Sequence, residues 1–168
     1  MQCFLGLGSN IQPREHLAAG LATLDQRFTL VSVSPLYRSP AWGFDGADFL
    51  NMVVSIDTEL SAQALANILR AIEFAHGRPE VSSKFSDRRL DIDLLLLGEL
   101  QCHQPRLPRP DVLERDFVLC PLADIAPRLC HPISGRSYAW HWASYLQQHD
   151  CQLQRQQPID FAHEFTTV

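Results

Sequence analysis

The sequence predicts an α+β fold with a ferredoxin-like core, and three observations lead to that prediction. Apolar strand-like segments alternate with two amphipathic helical segments in the order strand, helix, strand, strand, helix, strand. This βαββαβ order is the split βαβ pattern, in which helices pack on an antiparallel sheet. Apolar helical segments continue after residue 110, so we expect extra C-terminal helices beyond the core.

The composition is that of one soluble globular domain. The chain has 168 residues, of which 46% are hydrophobic and 20% are charged, and its formal net charge is −5. This length supports one core, so we expect a single domain over residues 1–168, with a polar tail at 150–168. The negative charge argues against a general nucleic-acid binder, and no apolar run is long enough to span a membrane. We therefore expect a cytoplasmic monomer that binds neither nucleic acid nor membrane.

The first half of the chain contains three predicted strands and one predicted helix. Residues 2–7 form a short apolar strand, and the glycines at 6–10 predict a turn that leads into the helix. After Pro13, leucines at three-to-four spacing predict an amphipathic helix. Residues 28–37 are rich in β-branched and aromatic residues and predict the second strand, and the alternation over 49–58 predicts the third.

The second half begins with a helix and ends with helical segments. A serine N-cap and a glycine stop predict a helix over residues 61–76. The polar segment 78–88 is too long for a tight turn and predicts a mobile surface loop. Residues 111–122 read as a helix start with an apolar continuation, and a short helix over 138–148 is expected to cover the sheet.

Two acids share one face of the predicted strand between these helical segments. Asp91 and Asp93 are two residues apart in an apolar run that ends at Gly98, and strand side chains alternate faces, so both carboxylates point the same way. Two adjacent ionised carboxylates repel and are costly to desolvate, so they need a cation, a shared proton or basic partners. Arg88 and Arg89 could make this an ordinary salt-bridged strand. Metal or phosphate chemistry is favoured, because apolar strands rarely hold two acids on one face for structural reasons.

The loop after the second strand is aromatic where a loop is normally polar. Trp42 and Phe44 lie among glycines and a proline. Their rings either plug the core or form a stacking surface for a flat ligand. Asn51, near the start of the third strand, could bond the edge of a heterocycle through its donor and its acceptor, or merely cap the loop.

Six short segments are specific in combination. They are Gly8-Ser9-Asn10, Tyr37-Arg38-Ser39-Pro40, Phe49-Leu50-Asn51, Ile72-Glu73 with Gly77-Arg78, Arg88 with Leu90-Asp91-Ile92-Asp93, and Arg115 with Phe117-Val118-Leu119 and Pro121-Leu122. Together they cover about residues 4–127 and resemble the 6-hydroxymethyl-7,8-dihydropterin pyrophosphokinase family of folate biosynthesis. The resemblance implies transfer of the β,γ-pyrophosphoryl group of ATP to the hydroxymethyl oxygen of a pterin, with release of AMP and use of two Mg²⁺ ions.

The resemblance also implies a role for each candidate residue. Asp91 and Asp93 match the metal ligands of the family, and hard carboxylate oxygens suit magnesium. Phosphoryl transfer depends on positioning and charge neutralisation, and the matched catalytic arginines are Arg78, Arg88 and Arg115. The matched nucleotide-binding positions are Glu73, Arg78, Phe85, Arg88, Arg109 and Arg115. The matched pterin-binding positions are Ser39, Pro40, Trp42, Phe49, Asn51 and Phe117.

The nucleotide side departs from the family pattern. Arg109 stands where a histidine is common, and it can neutralise phosphate charge but cannot change protonation near neutral pH. Phe85 stands where a tryptophan is usual. Asp87 and Glu80 would add negative charge near a bound triphosphate unless their side chains point away. The alternatives are therefore a pterin-binding or regulatory paralogue with weak or no transfer, an enzyme for a different pterin, and a two-metal nucleotide hydrolase.

Overall fold

The structure is a computed structural model, and it describes residues 1–79 and 86–160. The elements in chain order are β1 (Gln2–Ser9), α1 (Pro13–Arg27), β2 (Thr29–Val33), β3 (Leu36–Ser39), β4 (Phe49–Asp57), α2 (Ala62–Ala75), β5 (Asp91–Leu97), β6 (Cys102–His103), β7 (Arg106–Leu107), α3 (Asp111–Glu114), α4 (Asp116–Ile125), α5 (Tyr138–Gln148) and β8 (Gln154–Gln156). The predicted α+β fold, with its βαββαβ core and extra C-terminal helices, is confirmed.

The main sheet is antiparallel and runs in the order β5-β1-β4-β3-β8, with β2 also paired to β4. Its register decides which side chains meet. Gly8 of β1 lies opposite Asn51 on β4 and opposite Asp91 on β5. Because paired residues on neighbouring strands share a face, these three positions form one row across the sheet.

Helices cover both faces of this sheet. On one face, leucines of α1 and α2 pack against apolar residues of β1, β4 and β5 in the larger core. On the other face, α4 packs through Val118, Leu119 and Leu122. The predicted helix over 61–76 is confirmed as α2, and Ser61 caps it by accepting a hydrogen bond from the amide of Ala64. No helix of the described residues is long and apolar enough to cross a membrane.

The predicted second strand over 28–37 is wrong in one respect, because it is two strands. β2 and β3 both pair with β4, and they are separated by Ser34 and Pro35. Proline has no backbone N–H to donate to a sheet, so a continuous strand through Pro35 would lose a hydrogen bond. The hydroxyl of Ser34 accepts a hydrogen bond from the amide of Val53, which holds the break against β4.

The predicted turn at residues 6–10 is also displaced. Gly6 and Gly8 lie inside β1, and the left-handed backbone occurs at Gln12, with φ 42°. The glycines instead leave space on one face of the sheet. A Cβ added at Gly8 would lie 3.1 Å from Oδ1 of Asn51.

Four features of the second half of the chain differ from the sequence predictions. The apolar segment from residue 111 forms two helices, α3 and α4, and α5 packs against α4 rather than directly on the sheet. The polar stretch between β5 and α3 contains the β6–β7 hairpin. The polar tail contributes β8, which pairs with β3 at the sheet edge. Polar edge strands carry little apolar periodicity, so neither strand pair is visible in the sequence pattern.

Candidate active site

A cleft of about 830 Å³ opens on the face of the sheet where Gly6 and Gly8 lie. The acid-bearing strand β5 lines one part of it, and the loop after β3 lines another. A side chain at either glycine would fill space above the sheet, so the glycines are what gives the cleft its depth. A volume of this size is within the range of small-molecule sites.

The two acids of β5 point into this cleft, as their spacing predicts. Leu90, Ile92 and Leu94 between and around them are buried in the larger core. Asp91 accepts from Arg78, with 3.3 Å between Nη1 and Oδ1, and Arg88 Nε lies 3.9 Å from the same oxygen. The acid pair therefore faces cationic partners and is exposed to the cleft.

The surroundings of Asp93 disfavour its charged form. Although part of the side chain reaches solvent, desolvation by the cleft walls and the charge of Asp91 raise its pKa to about 7, and the nearby Arg109 opposes this only in part. An added cation at the acid pair would relieve this cost. A divalent-metal site has such a raised carboxylate pKa when the positive charges of the protein alone do not balance its carboxylates.

Glu73 lies behind the acid pair and fixes one of the arginines. The residue is 4% exposed. Oε1 accepts from the amide of Ile92 at 2.8 Å, and Oε2 accepts from Nη1 of Arg78 at 2.5 Å. Burial raises the pKa of Glu73 to about 7, with the charge of Asp91 adding to it and Arg78 and the Ile92 amide opposing it. These contacts place Glu73 as a support for Arg78, at the edge of the cleft.

A chain of alternating charges connects the acid pair to the opposite wall. Nη2 of Arg109 lies 3.1 Å from Oδ1 of Asp93, and Nε of Arg109 lies 2.6 Å from Oδ2 of Asp111. The other oxygen of Asp111 lies 3.8 Å from Nε of Arg115. The guanidinium of Arg115 then stacks over the ring of Trp42, 3.6 Å from the ring centroid. Asp111 is thus a shared anion, and the sequence analysis did not single it out.

The opposite wall is aromatic. Trp42 is 48% exposed, so its ring does not plug the core and instead forms a stacking surface. Phe44 and Phe49 meet edge to face, 6.2 Å between ring centroids. At the base of this wall the amide of Asn51 donates to the hydroxyl of Ser39 at 2.9 Å, and both side chains are buried. The flat surface and the buried amide are what a planar heterocycle would require.

The turn after β1 holds the segment that carries Arg88. Oδ1 of Asn10 accepts from the amide of Arg88 at 2.7 Å, and Nδ2 of Asn10 donates to Oδ1 of Asp87 at 2.7 Å. The amide of Asn10 also donates to the carbonyl of Arg88. The carboxylate of Asp87 therefore turns toward Asn10 and does not line the cleft, whereas Arg88 does.

The hydrogen bonds that join Asn10 to Asp87 and Arg88, called the Asn10 clamp below, predict a stability effect. Asn10→Ala leaves the buried amide of Arg88 without its acceptor, so we expect the free energy of unfolding to fall by about 1–3 kcal/mol. Urea denaturation measures it. The matched control is Asn67→Ala on the exposed face of α2, where Asn67 accepts from the exposed Gln63, and it should change stability by less than about 0.5 kcal/mol. Equal losses in the two variants would contradict the clamp.

All predicted site residues that the structure describes line the one cleft. They are Ser39, Pro40, Trp42, Phe49, Asn51, Glu73, Arg78, Arg88, Asp91, Asp93, Arg109, Arg115 and Phe117. Phe85 and Glu80 lie outside the described residues. The residue that the sequence analysis missed is Asp111, which also lines the cleft, and only its closeness to Arg109 in the sequence could have indicated it.

The acid pair fits magnesium better than a metal held by protein ligands alone. Among residues 1–79 and 86–160 no group of three or more His, Cys, Asp and Glu side chains could hold a metal ion. Magnesium commonly takes one or two carboxylates and completes its shell with water and substrate phosphates. Asp91 and Asp93 supply two such carboxylates on one face, with the raised pKa of Asp93 as a sign of missing positive charge.

A cleft with one wall that neutralises charge and one flat apolar wall suits phosphoryl transfer to a ring-bearing acceptor, which is the chemistry of ATP-dependent transferases. A family model described as 7,8-dihydro-6-hydroxymethylpterin-pyrophosphokinase matches residues 4–127. The chain belongs to this family.

Curated relatives agree with this assignment, and a solved structure shares the fold. The chain is 40% identical to 2-amino-4-hydroxy-6-hydroxymethyldihydropteridine pyrophosphokinase of Porphyromonas gingivalis, over 77% of this chain and 92% of the relative. It is 42% identical to the enzyme of that name from Pseudomonas aeruginosa, over 77% and 83%. Its fold is similar to wild-type Plasmodium falciparum HPPK-DHPS, with a TM-score of 0.66 and 12% identity over 87% of this chain and 45% of that longer chain.

Proposed function

We propose that this chain transfers pyrophosphate from ATP to the hydroxymethyl group of 6-hydroxymethyl-7,8-dihydropterin, giving AMP and the pterin diphosphate used in folate biosynthesis. One observation carries the proposal. The acid pair, the arginines and the aromatic wall all line a single cleft. Gly8 lies between the two substrate sides, with Asp91 on the neighbouring strand β5 and Asn51, at the base of the aromatic wall, on the neighbouring strand β4. Such convergence can hold two substrates side by side, which is the main requirement of phosphoryl transfer.

The aromatic wall and the base of the cleft bind the pterin. The ring stacks on Trp42 and Phe117, and its polar edge bonds the amide of Asn51, whose orientation is already fixed by Ser39. Pro40 and Phe49 shape the sides of the same pocket. A buried amide with bonding capacity left for a ligand discriminates against rings that lack the matching edge.

The arginines bind and orient the triphosphate. Arg78, Arg88 and Arg115 present guanidinium groups to the cleft, and planar guanidinium forks match phosphate oxygens. Glu73 acts through Arg78, because it holds that guanidinium while remaining buried itself. Two Mg²⁺ ions, held by Asp91 and Asp93 together with phosphate oxygens, would supply the remaining charge neutralisation.

The competing functions fit the cleft less well. A protein that only binds pterin has no use for two adjacent acids that need a cation, and both acids are present. A two-metal nucleotide hydrolase needs a group that activates water, and no histidine lines the cleft in the part of the chain that the structure describes. The pyrophosphokinase accounts for both walls.

The test is an incubation with 6-hydroxymethyl-7,8-dihydropterin, ATP and Mg²⁺ in which AMP, ADP and phosphate are measured together. We expect AMP only when the pterin is present. Pterin binding seen by fluorescence without AMP would instead indicate a binding paralogue or an enzyme for another pterin. Nucleotide breakdown that does not need pterin would indicate a hydrolase.

We further propose that residues 1–168 act as a single-domain cytoplasmic monomer that does not bind nucleic acid. The negative net charge supports the last point, and β8 supports the first, because it joins the same sheet as the N-terminal strand. Sedimentation velocity should give one species with the mass of a single chain. A dimer at low micromolar concentration would contradict the proposal.

A further inference from the structure

Arg109 is bound by two carboxylates at once, and one of them is a proposed metal ligand. Its Nη2 lies 3.1 Å from Oδ1 of Asp93, and its Nε lies 2.6 Å from Oδ2 of Asp111. Its backbone amide donates to the carbonyl of Leu95, which anchors the residue beside β5. Both Arg109 and Asp93 have more than a third of their side chains exposed to the cleft, so an incoming ion can reach the pair.

A metal ion and this guanidinium compete for the same carboxylate. Magnesium binds carboxylate oxygen at about 2.0–2.1 Å. An ion on Asp93 would therefore lie within a few ångströms of the guanidinium that now contacts Oδ1, and the two cations repel strongly at that range. Metal on Asp93 therefore favours withdrawal of Arg109.

Asp111 decides where Arg109 goes when it withdraws. The contact between Nε and Asp111 uses the inner edge of the guanidinium, while the Nη2 that contacts Asp93 lies at the outer end. Rotation about the retained contact turns that outer end toward the open cleft. Arg78, Arg88 and Arg115 line the same space, which is where the triphosphate lies under the proposed function.

We propose that Arg109 is a place-holding cation, which partly neutralises Asp93 while metal is absent and moves onto nucleotide phosphate when metal and nucleotide bind together. The inference rests on the proposed function for the identity of the nucleotide. It assigns Arg109 a binding and positioning role. It also explains how the folded protein tolerates two neighbouring carboxylates in the cleft while no metal ion is bound. Its consequence is that free metal binds poorly and metal carried by nucleotide binds well.

The test compares metal affinity with and without nucleotide in three proteins by isothermal titration calorimetry. These are the wild type, Arg109→Gln and the matched control Arg106→Gln, which removes the same charge from the same cleft at a residue without an ion pair to any described residue. The first probe is Mg²⁺ alone. The second is Mg²⁺ with a non-hydrolysable ATP analogue.

The expected signature is a pair of opposite effects. Arg109→Gln should bind Mg²⁺ alone about tenfold more tightly, because the competing cation is gone, and the Mg²⁺–analogue complex about tenfold more weakly, because a phosphate contact is lost. Arg106→Gln should change the affinity for Mg²⁺ alone by less than about twofold. A merely structural role for Arg109 predicts weaker binding of both probes.

Two outcomes would overturn the inference: unchanged or weaker binding of Mg²⁺ alone by Arg109→Gln, or equal tightening in the Arg106 control. Should the glutamine variant not fold, Arg109→Lys replaces the fork by one ammonium that cannot keep both carboxylate contacts, and about threefold tighter binding of Mg²⁺ alone is expected. Failure of the AMP assay would count against the proposed function, whereas the Mg²⁺-only titration judges Arg109 independently of it.

Discussion

Asp93→Ala is expected to abolish pyrophosphate transfer while leaving the fold intact. The variant removes one carboxylate of the acid pair on β5, and the remaining Asp91 is already paired with Arg78. Loss of charge neutralisation at the transferred group should lower kcat by at least about a thousandfold. The measurement is AMP formation at saturating pterin and ATP. Normal turnover in this variant would exclude the two-metal assignment.

The stability of the same variant provides an independent check. Folding raises the pKa of Asp93 from its usual 3.8 to about 7, so its ionised form costs free energy in the folded state. The folded protein binds this proton more tightly than the unfolded chain, and stability therefore falls as pH rises from about 4 to 7. At pH 8 in EDTA, Asp93→Ala should melt at the same temperature as the wild type or higher.

The matched control for Asp93→Ala is Asp57→Ala. Asp57 is an exposed acid at the end of β4, and it does not line the cleft. Its loss should leave AMP formation within about twofold of the wild type. Mg²⁺ added together with a non-hydrolysable ATP analogue should raise the melting temperature of the wild type and of the control, but have a much smaller effect on Asp93→Ala.

Arg88→Lys is expected to give the second largest loss, about a hundredfold or more in kcat/KM for ATP. Arg88 is 8% exposed, and Asn10 fixes its backbone so that the side chain enters the cleft beside Asp91. Lysine keeps the charge but loses the planar fork that matches phosphate oxygens. Initial rates of AMP formation at varied ATP measure the effect.

The neighbouring arginine provides the control for Arg88→Lys. Arg89 is exposed and does not line the cleft. Arg89→Lys should therefore leave kcat/KM within about twofold of the wild type. Similar losses at both positions would mean that general positive charge, rather than a placed guanidinium, supports nucleotide binding.

The local parts of the fold and site follow from sequence periodicity. The alternation of residues 90–94 correctly placed both acids on one face and their apolar neighbours in the core. The cap and stop residues of α2 were likewise visible, because capping is decided within one turn of chain. Such features depend only on residues that are close together in the sequence, so the sequence alone is enough to predict them.

The parts that could not be predicted depend on contacts between distant segments. Asp87 looked like a charge that would repel a nucleotide, but it bonds Asn10, which is 77 positions away. Asp111 connects Arg109 to Arg115 only because α3 lies at the end of β5's cleft. β8 joins the sheet through backbone pairing with β3, which has no side-chain signature.

The stack of Arg115 on Trp42 gives the protein an optical reporter. A guanidinium 3.6 Å from the ring centroid occupies the ring face on which a flat substrate would lie, so a pterin that stacks there must replace it. That exchange alters the immediate environment of the indole and therefore its emission. The other two tryptophans, Trp140 and Trp142, lie on α5 outside the cleft and contribute a constant background. The occupancy of the aromatic wall can thus be followed in unlabelled protein, one substrate at a time.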